Sequence, residues 1–260
     1  MRLILLPLAW LAALILFAAP AQAAVFTVRV DGVAQNILIE APATKPRAVV
    51  VMFPGGDGVI GIGADGHIAH PGNFLIRTRA AWLAKGFVYV AVDAPPARAR
   101  LPHDRVGYDN QRAIAAIVAH VRARTDLPIW LLGTSAGAPA ALAGAASLPA
   151  GSIAGVVISS PLSLAGPRDS VFDADLLAVR VPVLIQVADG DACRLSPPAN
   201  AAVIKHDLHH ARLIEIERFA GAASRPGASP CGPFSPHGFF GIEGKVIDAA
   251  AQWIEAHSAP

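Results

Sequence analysis

Five uninterrupted apolar runs of strand length, separated by segments of helical periodicity, constrain the fold of this chain more than any other feature. The runs occupy residues 48–53, 87–93, 129–134, 153–159 and 183–187. Strands that lack polar alternation are buried on both faces, which is typical of a parallel sheet covered by helices. The helical patterns occupy residues 74–85, 109–124, 136–147, 199–209 and 242–256. This alternation predicts a three-layer α/β fold, with helices on both faces of a mostly parallel sheet.

The remaining strand patterns lie near the two ends of the chain. Residues 25–31 and 36–41 flank Gly32, which predicts an antiparallel pair, and residues 212–217 alternate like an edge strand. No linker divides the 260-residue chain, so we expect residues 24–260 to form one domain. The longest irregular stretches each follow a strand, on the side where open α/β sheets bind ligands. These stretches occupy residues 55–72, 94–106, 160–180 and 220–236.

Residues 1–23 are predicted to be a secretory signal peptide. Arg2 precedes the apolar run LILLPLAWLAALILFAA, which Pro20 ends, and Ala21-Gln22-Ala23 supplies a small-residue cleavage site. An uncleaved membrane anchor is the alternative, because an apolar run of this length reaches the lower limit for a membrane span. Cleavage after Ala23 predicts a periplasmic or secreted chain, without a stable membrane anchor, in an oxidising compartment.

Composition and charge exclude several classes of protein. With 54% hydrophobic and 15% charged residues, the chain is neither disordered nor a coiled coil. Lys and Arg number 21 against 19 Asp and Glu, with no basic run interleaved with aromatics, so nucleic acid is not an expected partner. Asp57, Asp65, His67 and His70 crowd one loop, but their spacing matches no metal-binding pattern. Neither a metal nor a cofactor is therefore expected.

The pentad Gly133-Thr134-Ser135-Ala136-Gly137 matches the G-x-S-x-G pattern of a nucleophile elbow. It follows the strand-like run IWLLG and opens the helical run APAALAGAAS, which is the strand–turn–helix setting of that elbow. Such a turn presents the Ser135 hydroxyl at the positive end of a helix, where anionic charge is favoured. The pattern predicts Ser135 as a nucleophile; a glycine-rich turn that merely joins strand to helix is the alternative.

A nucleophilic serine needs a base, and His237 is the strongest candidate among the nine histidines. It alone lies in a Gly/Pro-rich loop between the last strand and the last helix, where the chain order Ser…Asp…His places the base. The acid that orients the imidazole is expected directly after residues 183–187, where Asp189 and Asp191 compete. Asp191 is favoured because it lies deeper in the turn, whereas Asp189 is equally suited to forming the turn itself.

An oxyanion hole requires backbone N–H groups aimed at developing negative charge. The N–H of Ala136, directly after the candidate nucleophile, is one expected donor. The second is expected from FPGGDG at residues 53–58, where glycines permit close approach of the backbone. Gly56 is favoured over Asp57, and an ordinary strand-to-loop turn is the alternative interpretation of this segment.

On these residues the chain resembles the α/β-hydrolase family over nearly all of its length after residue 23. The segments FPGGDG, GTSAG and SPHGFFGIEGKV carry the resemblance. More narrowly, PGNFLIRTRAAWLAKGF, AVDAPP, DACRLSP and CGPFSPHGF are similar to secreted bacterial members without assigned substrates. The resemblance implies a Ser–Asp–His triad on an eight-stranded sheet. Many members begin the oxyanion motif with His-Gly; this chain has Pro54-Gly55, a change that keeps the main-chain donors.

These features favour a metal-independent serine hydrolase that cleaves a carboxylic ester of modest size through an acyl-enzyme. No insertion is long enough to form a separate lid domain, which favours small or accessible ester or amide substrates. A serine peptidase or amidase and a binding module without turnover are the alternatives, because one fold hosts many activities.

Cys193 and Cys231 are the two cysteines of the chain, and they are predicted to form a disulfide. Cys193 lies two residues after Asp191, and Cys231 lies six residues before His237. The strands that precede these loops are expected to be neighbours, and the expected compartment is oxidising. Two free thiols are the alternative.

Overall fold

A computed structural model describes residues 23–95, 104–164 and 169–258 of the chain. Apart from Ala23, the predicted signal peptide lies outside these ranges. Within them, no helix combines the length and the apolar character needed to cross a bilayer.

Eight strands form one mostly parallel sheet, with the spatial order β1-β2-β4-β3-β5-β6-β7-β8. The strands are β1 (Ala24–Val30), β2 (Val33–Glu40), β3 (Ala48–Phe53), β4 (Phe87–Val92), β5 (Ile129–Thr134), β6 (Gly155–Ser159), β7 (Val183–Ala188) and β8 (Ile214–Phe219). The pairs β1–β2 and β2–β4 are antiparallel, and every other neighbouring pair is parallel. The predicted opening pair and the predicted edge strand, β8, are thereby confirmed.

Helices cover both faces of the sheet. They are α1 (Phe74–Arg77), α2 (Arg79–Ala84), α3 (Tyr108–Arg122), α4 (Ala138–Ser147), α5 (Ala201–Asp207) and α6 (Glu243–His257). One apolar core joins the sheet to α3, α4 and α5, and a second joins it to α1, α2 and α6. Successive residues of β5 alternate between the two cores, with Leu131 in the first and Trp130 and Leu132 in the second. Both faces are therefore buried, which confirms the predicted three-layer α/β architecture.

The helix predicted over residues 74–85 is divided into α1 and α2 at Thr78. The Thr78 hydroxyl donates to the carbonyl of Phe74 at 2.7 Å, in place of a continuous backbone ladder. A threonine hydroxyl that bonds back to the preceding turn competes with helical hydrogen bonding. Sequence periodicity alone does not reveal this break, because the apolar stripe continues across it.

The parallel strands end at the same edge of the sheet, and the loops that follow β3, β5, β7 and β8 meet there. This placement brings residues far apart in sequence to one side of the molecule.

Candidate active site

Ser135 lies on a sharply turned backbone directly after β5. It begins a single 3₁₀ turn, Ser135–Gly137, that leads into α4, and its φ is +52°. This left-handed conformation costs a non-glycine residue about 1–2 kcal/mol. The surrounding packing holds it there and leaves the Ser135 side chain only partly buried, at the edge of the sheet.

The two glycines of the pentad are required by close backbone contacts. A Cβ on Gly137 would lie 2.0 Å from the carbonyl oxygen of Phe53 in β3. A Cβ on Gly133 would lie 2.4 Å from the carbonyl oxygen of Gly137. Both positions therefore exclude any other residue, and the turn that presents Ser135 depends on them.

His237 and Asp191 are brought together from loops that follow neighbouring strands. The His237 Nδ1–H donates to Asp191 Oδ2 at 2.8 Å, and both side chains are buried. A carboxylate only accepts, so this bond places the proton of the neutral ring on Nδ1 and leaves Nε2 as an acceptor. Nε2 is buried and has no hydrogen-bond partner among the described residues. His237 Nε2 is thus an available proton acceptor on a residue that lines the same cavity as Ser135.

The local chain fixes both members of this pair. Asp191 Oδ1 accepts the backbone N–H of Cys193 at 2.8 Å, so the two oxygens of the carboxylate have separate partners. His237 lies in the 3₁₀ turn Pro236–Gly238, whose N-cap Ser235 accepts the backbone N–H of His237 at 3.2 Å. The orientation of the imidazole is consequently set from both sides.

Asp189, the alternative acid, lies elsewhere. Its Oδ1 pairs with Arg218 at 2.8 Å, and about half of each side chain is exposed. The contact with His237 therefore belongs to Asp191, the residue that the sequence favours.

The loop after β3 carries the backbone groups expected to bind an oxyanion. Gly56 has a φ of +65° and lines one cavity with Ser135, whereas Asp57 is not part of that lining. The buried guanidinium of Arg105 donates through Nη2 to the carbonyls of Gly56 at 3.2 Å and Pro54 at 3.3 Å. Ala136, the other expected donor, directly follows Ser135 in the chain and is buried. The loop is thus held in a fixed position over the strand end.

A cavity of about 290 Å³ joins these groups. Ser135 and His237 both line it, together with Gly55, Gly56 and the neutral side chain of Asn73. A larger depression of about 640 Å³ lies at the other edge of the sheet, beside Arg47 and Glu255. The described residues lining that depression include no serine, cysteine or histidine, so the smaller cavity is the candidate active site.

A disulfide joins Cys193 and Cys231, whose Cα atoms lie 4.5 Å apart. Cys193 is buried, and Cys231 lines the cavity that contains Ser135. The bond ties the loop of Asp191 to the loop of His237, as the positions of the two cysteines predict.

Arg77 connects the cavity wall to α6. Its guanidinium donates to the carbonyls of Gly238 at 2.6 Å and Gly72 at 3.0 Å, and to Glu243 Oε1 at 2.9 Å. Burial lowers the pKa of Arg77, and the hydrogen bond and charge of Glu243 oppose that shift. A partly buried cation with a carboxylate and two carbonyl partners rigidifies the segment around His237.

The two aspartates considered as metal ligands each accept a backbone hydrogen bond. Asp57 Oδ1 accepts the N–H of Val59, and Asp65 Oδ1 accepts the N–H of His67, each within its own turn. Across the described ranges, no three His, Cys, Asp or Glu side chains converge as a metal site would require.

Sequence reasoning missed Asp93, Arg77 and Asn73. Asp93 ends a predicted strand, Arg77 lies within the helix predicted over residues 74–85, and Asn73 lies directly before that helix. A polar residue at the carboxyl end of a buried strand is the one signal that could have identified Asp93. Nothing in the local sequence distinguishes Arg77 from an ordinary helix residue, and an Asn directly before a helix indicates only a cap.

Comparisons with known proteins find likeness in structure alone. No family model matches the chain, and no curated protein matches its sequence. A dienelactone hydrolase from Anabaena variabilis matches with a TM-score of 0.67 and 17% identity, over 93% of this chain and 100% of its own. A carboxyl esterase from Bacillus coagulans matches with a TM-score of 0.57 and 11% identity, over 93% and 100%.

An acylaminoacyl peptidase from Pyrococcus horikoshii matches with a TM-score of 0.61 and 14% identity. The match covers 91% of this chain and 41% of the peptidase, so this chain spans less than half of that protein. The shared fold is the α/β-hydrolase fold, in agreement with the resemblance of the sequence motifs.

Proposed function

We propose that this chain, which has the α/β-hydrolase fold, is a serine hydrolase that cleaves carboxylic esters through an acyl-enzyme. One observation carries the proposal: Ser135, on a backbone turn with a φ of +52°, lines the same cavity as His237, whose ring is oriented by Asp191. The fold that it shares with a dienelactone hydrolase and a carboxyl esterase is consistent with this chemistry.

In the proposed reaction, Ser135 Oγ attacks the ester carbonyl carbon and its proton passes to His237 Nε2. The carbonyl π electrons move to oxygen, and the resulting oxyanion accepts hydrogen bonds from the N–H groups of Ala136 and Gly56. His237 returns the proton to the leaving alcohol as the carbon–oxygen bond breaks. Water, deprotonated by His237, then attacks the acyl-enzyme, and collapse of the second tetrahedral intermediate releases the acid and restores Ser135.

Asp191 acts by holding the proton of neutral His237 on Nδ1 and by stabilising the imidazolium that forms during each step. His237 accepts the proton of Ser135 only while its own ring is neutral, which is the form that the hydrogen bond to Asp191 orients.

Covalent labelling tests the nucleophile. A fluorophosphonate probe is expected to label the wild-type protein once, and Ser135→Ala is expected to remove the label without changing the Tm. The matched control is Ser160→Ala, because Ser160 also follows a parallel strand with a positive φ, +43°, but does not line the cavity. Labelling that persists in Ser135→Ala would exclude Ser135 as the nucleophile.

Substituting Asp191 and Asp189 separately tests which of the two aspartates orients His237. Asp191→Asn is expected to lower kcat by roughly 10³–10⁴-fold, because the amide no longer holds the required His237 tautomer. Asp189→Asn is expected to leave kcat nearly unchanged, since it removes only a half-exposed ion pair with Arg218. The reverse order of effects would assign the acid to Asp189.

Amide hydrolysis at the same site is the second candidate, favoured by the structural likeness to an acylaminoacyl peptidase. A p-nitrophenyl ester and a p-nitroanilide with the same acyl group compare the two activities directly. Faster release of nitroaniline than of nitrophenol, relative to the uncatalysed rates, would identify an amidase. Binding of either compound without turnover or labelling would favour a binding module.

The site of action is proposed to be the periplasm or the extracellular space, reached after cleavage following Ala23. The Cys193–Cys231 disulfide supports this, because such bonds persist in oxidising compartments. The amino-terminal sequence of the protein recovered from its native compartment tests the cleavage position.

A further inference from the structure

Asn73 presents an amide group of fixed orientation to the candidate active site. Its Oδ1 accepts the backbone N–H of Leu75 at 3.0 Å, at the start of α1. Only the oxygen of an amide accepts, so this bond determines which side of the group carries Nδ2. Within the described ranges, Nδ2 has no hydrogen-bond acceptor. Two N–H bonds are therefore available to a ligand.

The available donor lies close to the candidate nucleophile. Asn73 and Ser135 line the same cavity. A Cβ built on Gly55 would lie 3.0 Å from Ser135 Cβ and 3.4 Å from Asn73 Nδ2, so the sum of these distances limits the separation of the two atoms to about 6.4 Å. The absence of a side chain at Gly55 leaves the space between them open.

We propose that Asn73 Nδ2 is a third donor to the oxyanion, beside the backbone N–H groups of Ala136 and Gly56. This inference rests on the proposed function. An oxyanion donor lies about 3 Å from the charged oxygen. With Ser135 Cβ and Asn73 Nδ2 no more than about 6.4 Å apart, the oxygen of a carbon bonded to Ser135 Oγ can lie within that distance of Nδ2. As the Oγ–carbon bond forms and the carbonyl electrons move to oxygen, the amide N–H strengthens its hydrogen bond to the developing charge.

A fixed side-chain donor has a physical advantage in this position. The hydrogen bond from Leu75 holds the amide before substrate binds, so little reorganisation is needed during the reaction. Because the interaction is strongest in the transition state, its loss is expected in kcat and not in KM.

Two substitutions of Asn73 distinguish the proposed hydrogen bond from Nδ2 to the oxyanion from the capping of α1 by Oδ1. Asn73→Ser and Asn73→Asp both keep an oxygen that can accept the Leu75 N–H, and both remove Nδ2. Each is expected to lower kcat by about 10²-fold with KM changed less than about threefold, and Asp more than Ser because its charge repels the oxyanion. The Tm is expected to stay within about 2 °C of the wild type.

The control is Asp175→Ser, a substitution at another cap. Asp175 Oδ1 accepts the backbone N–H of Ala178, and Asp175 does not line the cavity. This substitution is expected to leave kcat unchanged. A boronic acid, which forms a tetrahedral adduct with serine, supplies a second measurement. Its affinity is expected to fall in Asn73→Ser by the same factor as kcat/KM, because it mimics the transition state.

Fluorophosphonate labelling of the wild-type protein is measured first. If the wild type is not labelled, the proposed function fails and this inference fails with it. If the wild type is labelled but both Asn73 variants keep kcat within about threefold, or lose kcat only together with Tm, Asn73 is a helix cap and the inference is wrong.

Discussion

Asp93 is the residue whose contacts most directly determine the shape of the loop after β3. Its buried carboxylate accepts the N–H groups of Ile60 at 2.8 Å and Gly61 at 3.2 Å through Oδ1, and that of Ile62 at 2.7 Å through Oδ2. A buried carboxylate is tolerated when such donors replace water. Since this loop also contains Gly56, the position of a proposed oxyanion donor depends on a side chain more than thirty residues away.

Asp93→Asn is expected to lower both stability and activity. The amide places a donor against backbone N–H groups, so at least one of them loses its acceptor at a cost of about 1–3 kcal/mol. Urea unfolding and ester kinetics measure the two effects. Asp57→Asn is the control, because Asp57 accepts one bond within an exposed turn. A free energy of unfolding within about 0.5 kcal/mol of the wild type, with unchanged kcat, would contradict this role for Asp93.

At the residue scale, the sequence predicts those site residues that local chain geometry defines. Ser135 lies between two glycines at a strand end, and His237 lies in a Gly/Pro-rich loop, so pattern and chain order point to both. No comparable sequence pattern identifies the roles of Asp93 and Asn73. Their importance depends on partners that the fold brings near, at distances in space that no local pattern encodes.

At the scale of elements, the contact between α1, α6 and the loop of His237 depends on Arg77. The Arg77 and Glu243 side chains are 15% and 25% exposed, so this ion pair is screened less than a surface pair. The same guanidinium holds the carbonyl of Gly238, next to His237. Three segments thus share one planar group, whose fork geometry a lysine does not reproduce.

Arg77→Lys is therefore expected to lower kcat by about tenfold or more and the stability by about 1–3 kcal/mol, because buried carbonyl partners are left without donors. Thermal unfolding and ester kinetics measure both. Arg112→Lys serves as the control, since Arg112 pairs with Asp31 on the surface and such pairs contribute little. Equal effects of the two substitutions would show that Arg77 has no special role in the site.

Strands were predicted more accurately than helices. The limits of β3 and β5 match the predicted ones, because six consecutive buried residues define each strand. The predicted helix over 136–147 begins at Ala138, since Ser135–Gly137 form the 3₁₀ turn that presents the serine. Helix ends depend on capping contacts and on neighbouring elements, and the Thr78 break shows how one hydroxyl alters a regular pattern.

At the scale of the whole molecule, the disulfide connects the two loops that hold His237 and Asp191. The strands β7 and β8 are parallel neighbours, so the chain segments that follow them meet at the same edge of the sheet. Cys193 donates its N–H to Asp191, and Cys231 lies in the cavity wall before His237. The bond closes a loop with a sequence separation of 38 residues, which includes α5 and β8.

Reduction of the disulfide is expected to impair catalysis before it unfolds the sheet. The chain-entropy model gives a loss of roughly 4 kcal/mol for a loop of this length, as an upper figure. The sheet and its two apolar cores do not depend on this bond, whereas the spacing of Asp191 and His237 does. Ester hydrolysis at 25 °C and the Tm, each with and without a phosphine reductant, measure the two effects.

A Cys193→Ser/Cys231→Ser double variant controls for the reductant, which is expected to leave the activity and Tm of this variant unchanged. Alkylation of the denatured, unreduced wild-type protein is expected to add no groups. Two added groups would show free thiols, and full activity after complete reduction would show that the bond does not hold the acid and the base in place.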